Sequence, residues 1–364
     1  MIIPVEYYKA FYLFFTTVFT IIYSCTFFTN DCRLVYQKSN SIYVFVYILL
    51  FTLIVGYRPN WVWFGDSVVY VNMYNNFYVN GCLPNPESKE WIFENMMYYS
   101  SKIMDYRGFF FIVECLYIFP VLWTCRKLIP NHYLFFFIIC MGTFSFYSYS
   151  YNGIRNGMAC SLIIAALGCI NGKIISKIIA GILCFAAFNI HRSTALPIFC
   201  MLASFFIKDV RYVMGWWLFS IVLSLVAGGT IESFFTGLGF DDRLSSYAID
   251  DSADAMFSST GFRWDFLLYS AMPIVLGYYV VFIRKIWDKN YLMLLNTYIL
   301  CNSFWVMMIR ASYSNRFAYL SWFMYALVLA YPCLKLPVWK NQGANTALIF
   351  MGHLGFTLFM YWFM

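Results

Sequence analysis

Residues 41–57 read SIYVFVYILLFTLIVGY, seventeen positions without a charge, and residues 58–74 continue as RPNWVWFGDSVVYVNMY. The first run is apolar on every side, so it is neither a half-buried strand nor an amphipathic surface helix. It approaches the roughly 20 residues that carry a helix across hydrocarbon, whereas the strands of a membrane barrel alternate over about 10. Similar windows recur along the chain. They lie near 8–29, 41–57, 108–125, 132–150, 154–171, 174–190, 193–207, 212–230, 265–283, 291–308, 317–334 and 345–363, the pair 174–190 and 193–207 reading also as shorter or broken helices, so the sequence predicts an all-α polytopic membrane protein of about twelve transmembrane helices. Composition agrees: 62% of residues are hydrophobic, 23% aromatic and 11% charged. A soluble domain carries about 25% charged residues. Soluble enzyme, disordered chain and nucleic-acid binder are excluded at this step.

Twelve cysteines sit mostly singly inside apolar runs, with no CxxC pair and no Cys/His spacing of a metal site, and they read as small packing residues. The first apolar run lacks a basic n-region and reads as an anchor that stays. No internal repeat or soluble domain interrupts the pattern, so residues 1–364 read as one transmembrane domain.

The basic residues orient it. Alternate loops hold Arg33, Lys38, Arg126, Lys127, Lys173, Lys177, Lys208, Arg211, Arg284, Lys285, Lys289, Lys335 and Lys340 against three acids, Asp31, Asp209 and Asp288. That face is expected to be cytoplasmic, with both termini outside. The outward face then carries two larger segments, about 58–107 and 231–264, rich in Tyr, Asn, Ser and Gly. Such residues suit sugar rings and hydroxyls, although an aromatic belt at the interface explains many of them.

Arginine and lysine are distributed differently. Of twelve each, nine Lys and four Arg fall on the cytoplasmic side, while Arg58, Arg107, Arg155, Arg192, Arg243, Arg263, Arg310 and Arg316 fall outside or at outer helix ends. Topology gives no reason for Arg over Lys there. A planar five-donor fork does matter for phosphate or pyrophosphate. Several of these Arg abut apolar helices, where charge is costly and marks a functional site by default. An outward anionic pocket is expected; snorkelling to headgroups is the bland alternative. Asp66 and Tyr70, four apart, share a helix face, and Asp66 is either a site residue or the helix cap. His191 stands beside Arg192 and Asn189 at an outer helix end. Arg263 and Asp265 form a pair at a helix entrance.

On these residues the sequence resembles the bacterial polysaccharide polymerases that include the EpsG family and the Wzy-type O-antigen polymerases. The likeness rests on GYRPNWVWFGDSVVYVNMY, RNGMACSLIIAALG, FNIHRSTALPIF and the pairing of TGFRWDFLLY with NRFAYLSWF. Arg58, Gly65-Asp66 and Tyr70 match one element, Arg155 and Ala159 a second, His191 and Ser193 a third. The resemblance implies a GT-C-like membrane glycosyltransferase of the bacterial inner membrane, its active site facing the periplasm. It would move the growing glycan from undecaprenyl pyrophosphate onto a new lipid-linked repeat unit. Its partners would be the lipid-linked donor and acceptor, membrane lipids and a chain-length regulator, with no nucleic acid and no cofactor. Asp66, the first choice of base, and His191 become the candidate catalytic residues, and Arg58, Tyr70, Arg155, Arg192, Arg263, Arg310 and Arg316 the candidate ligands of pyrophosphate and sugar. No DxD-type metal motif is evident, since Asp241-Asp242 and Asp250-Asp251 lack a preceding apolar strand. The chemistry is therefore expected to be metal-independent, with Arg meeting the leaving-group charge. A lipid-linked oligosaccharide flippase, an O-antigen ligase and a His191-dependent acyltransferase stay open as alternatives.

Orientation can be tested directly. Single cysteines at 80–90 or 245–255 are expected to react with a membrane-impermeant maleimide from the periplasm, and those at 285–290 only after permeabilisation. Reversed labelling would invert the assignment.

Overall fold

A computed structural model of the chain describes residues 2–29, 38, 40–207, 209–237, 261–311 and 314–363. Among these, every regular element is helical. This is the expected outcome where lipid offers no partner to backbone amides and carbonyls.

Six helical stretches are long and apolar enough to cross a membrane: Tyr7–Phe28, Tyr106–Leu128, Val210–Ile231, Trp264–Ile283, Ser314–Lys335 and Gln342–Trp362. A seventh results if Tyr133–Met141 and Phe144–Tyr151, bent by 80° at their junction, form one broken span. Ile42–Gly56, Ile154–Ile170, Ile174–Ile190 and Arg192–Phe206 are apolar but shorter. At about 1.5 Å per residue, helices of this size fall short of a hydrocarbon core about 30 Å thick. Lys289–Met307, which carries Asn290, Asn296 and Asn302, is not among the six. The chain is a helical polytopic membrane protein; the window near 132–150 is a bent pair where one span was expected, that near 154–171 is a short helix, and those near 174–190 and 193–207 take the shorter form left open for them.

In chain order the helices are α1 (Tyr7–Phe28), α2 (Ile42–Gly56), α3 (Ser67–Tyr78), α4 (Trp91–Ser101), α5 (Tyr106–Leu128), α6 (Tyr133–Met141), α7 (Phe144–Tyr151), α8 (Ile154–Ile170) and α9 (Ile174–Ile190). They continue as α10 (Ala195–Phe206), α11 (Val210–Gly237), α12 (Trp264–Tyr278), α13 (Lys289–Met307), α14 (Ser314–Trp322), α15 (Tyr325–Lys335) and α16 (Gln342–Phe363). They gather into two compact units, Met1–Thr194 with Ala330–Met364, and Ala195–Leu329.

In the first unit α8 lies between α5 and α9, and α1 packs on α16 and α6. Small residues permit the close approaches, as is usual where helices meet in lipid. A Cβ on Gly168 of α8 would stand 3.0 Å from Thr124 of α5, and one on Gly56 of α2 would stand 2.9 Å from the Phe111 backbone of α5. On α9, Ile178, Ile182 and Phe185 are exposed along one face while Ala180 and Ala187 are buried. That pattern suits a helix facing lipid on one side. The break between α6 and α7 frees carbonyls, and side chains take them up. Tyr12, stacked on Tyr147 at 4.7 Å, donates its hydroxyl to the Met141 carbonyl, and Thr143 Oγ1 donates to Cys140 O at 2.8 Å. Gln342 does the same for the turn before α16, donating to Cys333 O and Leu336 O and accepting from Val338 and Trp339.

The second unit centres on α13, which packs against α10, α11, α12 and α14. Buried polar links join its helices. Trp217 donates to Asn302 at 2.8 Å, Asn302 to Ser321 at 3.0 Å, and Trp322 to Ser270 at 2.7 Å.

The close approach at Gly56 makes a paired prediction. Gly56→Ala drives a methyl into the Phe111 backbone and is expected to destabilise the protein by about 1–3 kcal/mol, as overpacking does. Gly181→Ala on α9 meets nothing within 4 Å and is expected to be neutral or to stabilise by up to about 1 kcal/mol through helix propensity. Thermal unfolding of both variants in one detergent checks the contrast.

Candidate functional site

The chain leaves α2 at Arg58 and makes one 3-10 turn, Val62–Phe64, before α3. Gly65 follows with φ of 57°, in the left-handed region that glycine tolerates best. A Cβ there would also collide with the Asn152 side chain. Asn152 Oδ1 accepts the Asp66 N–H at 2.8 Å, so the Gly65-Asp66 turn is docked three residues before Arg155. The Asp66 side chain is half-buried and makes no capping bond to α3. Capping therefore does not account for it.

Arg58 reaches this end of the unit but turns inward, with 1% of its surface exposed. Its guanidinium donates to Val55 O at 2.9 Å, to Ser67 Oγ at 3.1 and 3.2 Å and to Tyr151 O at 3.4 Å, and lies 4.3 Å from the Phe110 ring centroid. Ser67 donates to the same Tyr151 carbonyl. Arg58 thus ties the α3 turn to the end of α7. The outward pyrophosphate ligand expected of it is not the side chain's orientation here.

A second cluster forms where the α9 terminus meets the segment before α4. Glu90 Oε1 lies 2.6 Å from His191 Nδ1 and accepts the Arg192 backbone N–H at 3.3 Å, while Glu90 Oε2 pairs with Arg155 Nη1. The neighbours of Glu90 are tied to the same stretch. Lys89 O accepts Arg192 Nε at 2.7 Å, and the Trp91 indole donates to Asn189 Oδ1 at 2.9 Å. The Arg155 guanidinium lies 5.9 Å from the ring centroids of both Tyr70 and Phe93, and Arg192 lies 4.2 Å from that of Phe188. Side-chain exposures of 15% for Arg155, 20% for Glu90 and 22% for His191 place the group at a partly covered surface. Arg155 Nε is buried without a partner. Partial burial pushes the Glu90 carboxyl up. The His191 hydrogen bond, the Arg155 charge and the Arg192 amide together outweigh it and hold the group below its ordinary value.

The structure therefore brings Arg155, His191, Arg192 and Tyr70 together in the first unit, with Asp66 on the docked turn nearby in sequence from Tyr70. Arg263, Arg310 and Arg316 belong to the second unit. Arg263 donates to both Asp265 oxygens, at 3.0 and 2.6 Å, and lies 3.8 Å from the Phe266 ring centroid. Arg310 is exposed, 5.9 Å from the Phe262 ring centroid, and Arg316 is half-buried on α14. Arg243 and the two Asp pairs lie outside the described residues, as does most of the 231–264 segment. Among the described residues no three His, Cys, Asp or Glu side chains form a metal-binding group. Sequence reasoning missed Glu90 and Asn152. The one usable signal was electrostatic: two arginines beside apolar helices need a counter-charge, and the 58–107 segment supplies acids.

A multi-pass helical membrane protein with arginines and a histidine gathered at its helix ends is the class these observations define. The chain belongs to the EpsG family, whose model matches residues 41–364. No curated protein and no solved structure matches it.

Glu90 meets three polar partners, so Glu90→Ala is expected to lower stability by about 1–3 kcal/mol, the cost of leaving partly buried partners unmet. Exposed Glu87 is the control, and Glu87→Ala should change little. The Glu90 contribution is complete above the ordinary carboxyl value of 4.5 and is lost as the pH falls through the lowered one. The gap between wild type and Glu90→Ala in thermal unfolding should therefore close in acid.

Proposed function

We propose that the protein polymerises a bacterial polysaccharide, transferring the growing glycan from undecaprenyl pyrophosphate onto a new lipid-linked repeat unit at the periplasmic face of the inner membrane. Family membership supports the class. The observation that carries the chemistry is the cluster at the ends of α8 and α9: one carboxylate takes the Arg155 guanidinium and the Arg192 main-chain N–H, the Arg192 guanidinium lies on the Lys89 carbonyl, and Arg155 Nε is buried without a protein partner. That surplus of positive charge suits an anionic leaving group.

In this reading an acceptor hydroxyl attacks the anomeric carbon of the donor glycan. The bond from that carbon to the carrier diphosphate breaks, and the diphosphate leaves with the electron pair. Arg155 meets its developing charge in a partly dry setting, where fixed donors stabilise most. His191 takes the proton of the attacking hydroxyl, a role worth typically about 10²–10⁴-fold. Asp66 and Tyr70, one helical turn apart, hold the acceptor sugar, and Arg192 keeps the α9 end in place through Lys89. The reaction involves two carrier pyrophosphates, and Arg263, Arg310 and Arg316 give the second unit a basic set of its own. Charge is neutralised by arginine and needs no divalent ion. The short helices, α13 and the broken pair count as spans here, bringing the total to the twelve of a GT-C-like enzyme working with a chain-length regulator.

Arg155→Lys preserves charge and removes the fork, so it is expected to shorten or abolish polymer while protein reaches the membrane in normal amounts. His191→Ala should lower polymer by about 10²-fold or more, and Asp66→Asn should weaken it. Gel profiles of surface polysaccharide, normalised to membrane protein, read all three. Full-length polymer from Arg155→Lys would sink the anion assignment.

A further inference from the structure

We infer that Glu90 is the positioning residue of His191, holding the imidazole proton on Nδ1 so that Nε2 is left bare as the proton acceptor. The inference rests on the proposed role of His191 and adds a residue that role does not itself require.

The argument starts from donor counting. Glu90 Oε1 faces both His191 Nδ1 at 2.6 Å and the Arg192 N–H at 3.3 Å, and Oε2 faces Arg155 Nη1. A backbone N–H and a guanidinium can only donate, so both carboxylate oxygens are already used as acceptors. The Arg155 charge beside Oε2 holds the group ionised, and an ionised carboxylate has no proton to offer. The 2.6 Å contact with His191 is then a hydrogen bond only if Nδ1 carries the proton. Neutral imidazole has one proton, so its other nitrogen, Nε2, is an acceptor. Arg155 stabilises the carboxylate as an anion, which keeps Glu90 from becoming the proton's destination itself.

Geometry adds restraint. Three consecutive residues, Lys89, Glu90 and Trp91, contact Arg192, His191 and Asn189 in turn, through a carbonyl, a carboxylate and an indole. The carboxylate is anchored on both sides along the chain and has little freedom to leave the ring. His191 is itself held extended at the α9 end, with φ of −151° and ψ of 115°. A tether between α4 and α9 needs only the Trp91–Asn189 bond, and one to α8 only the Glu90–Arg155 pair. The His191 contact goes beyond that need, and orienting a base is what such a contact does in acyl- and glycosyl-transfer sites generally.

The chain has three histidines, His132, His191 and His353, so nitrogen-15 NMR of histidine-labelled protein in nanodiscs resolves them, with His191 assigned by the signal absent from His191→Gln. In the wild type, neutral His191 is expected to show a protonated Nδ1 and a bare Nε2. A proton on Nε2 overturns the inference without any activity measurement, so a wrong function and a wrong tautomer are separable. In Glu90→Ala the proton should move to Nε2, and polymer output should fall by about 10²-fold or more. Glu90→Asp, which retains the carboxylate, should restore the Nδ1 proton and part of the output. In the Glu90→Ala, His191→Ala double variant the loss should match His191→Ala alone, because both act through one base. A tautomer that ignores Glu90→Ala overturns the inference. A tautomer that switches while polymer stays at wild-type level overturns it too, by removing His191 as the base.

Discussion

One carboxylate, that of Glu90, governs the candidate site by meeting the Arg155 guanidinium, the His191 ring and the Arg192 main-chain N–H. Arg155 and Arg192 stand at ends of apolar helices, where water screens their repulsion poorly. Without an anion, the α8 and α9 ends could not be held together at low cost. Glu90 supplies that anion from a segment that would otherwise have no reason to sit there, since α4 is short and half polar. The tie also explains why the segment before α4 follows the α9 end residue by residue. A second carboxylate would neutralise the cluster and leave it nothing to offer a ligand. A single one holds the arginines in place and leaves them net positive.

A parallel constraint acts on the backbone. The 80° bend between α6 and α7 interrupts a helix inside an apolar unit, and carbonyls released there cannot turn to water. Tyr12 takes the Met141 carbonyl, and Arg58 with Ser67 takes that of Tyr151 at the far end of α7. The bend then delivers Asn152 to the Gly65-Asp66 turn and Arg155 to the start of α8. Arg58 is an arginine recruited by main-chain acceptors. Its five donors suit that task as well as they would suit a phosphate, which is why residue type alone did not separate the two uses.

The helical membrane class was legible at once, because seventeen uncharged residues in a row leave few other choices. Arg155, His191, Arg192 and Tyr70 were also legible as a group. Polar side chains at apolar helix ends are expensive and so stand out. Glu90 was not legible. It lies in a polar loop beside Glu87 and Glu94, and its partner His191 is 101 positions away, with no periodicity to relate them. The windows at 154–171, 174–190 and 193–207 match Ile154–Ile170, Ile174–Ile190 and Arg192–Phe206; the break that was not legible lies in the window at 132–150, which holds Tyr133–Met141 and Phe144–Tyr151 bent by 80°. Hydropathy reports composition and is blind to a break that side-chain hydrogen bonds have made tolerable. The separation of Arg263, Arg310 and Arg316 into another compact unit depends on packing between distant segments, which no local pattern records.

Arginine at position 155 follows from what one side chain must do there. Its Nη1 is engaged by Glu90, its face lies over Tyr70 and Phe93, and Nε remains buried and unpaired. An unpaired buried donor costs about 1–3 kcal/mol, and in the proposed reaction the carrier diphosphate is the group that would meet it. A lysine could pair with Glu90 equally well. Its three donors radiate from one nitrogen, however, and the carboxylate would draw that nitrogen toward itself with no rigid plane to keep a donor aimed elsewhere. The guanidinium separates its donors over a fixed fork, so one edge can answer to the protein while another waits for an anion. That division of labour requires the fork, and it requires Glu90 to occupy one edge only.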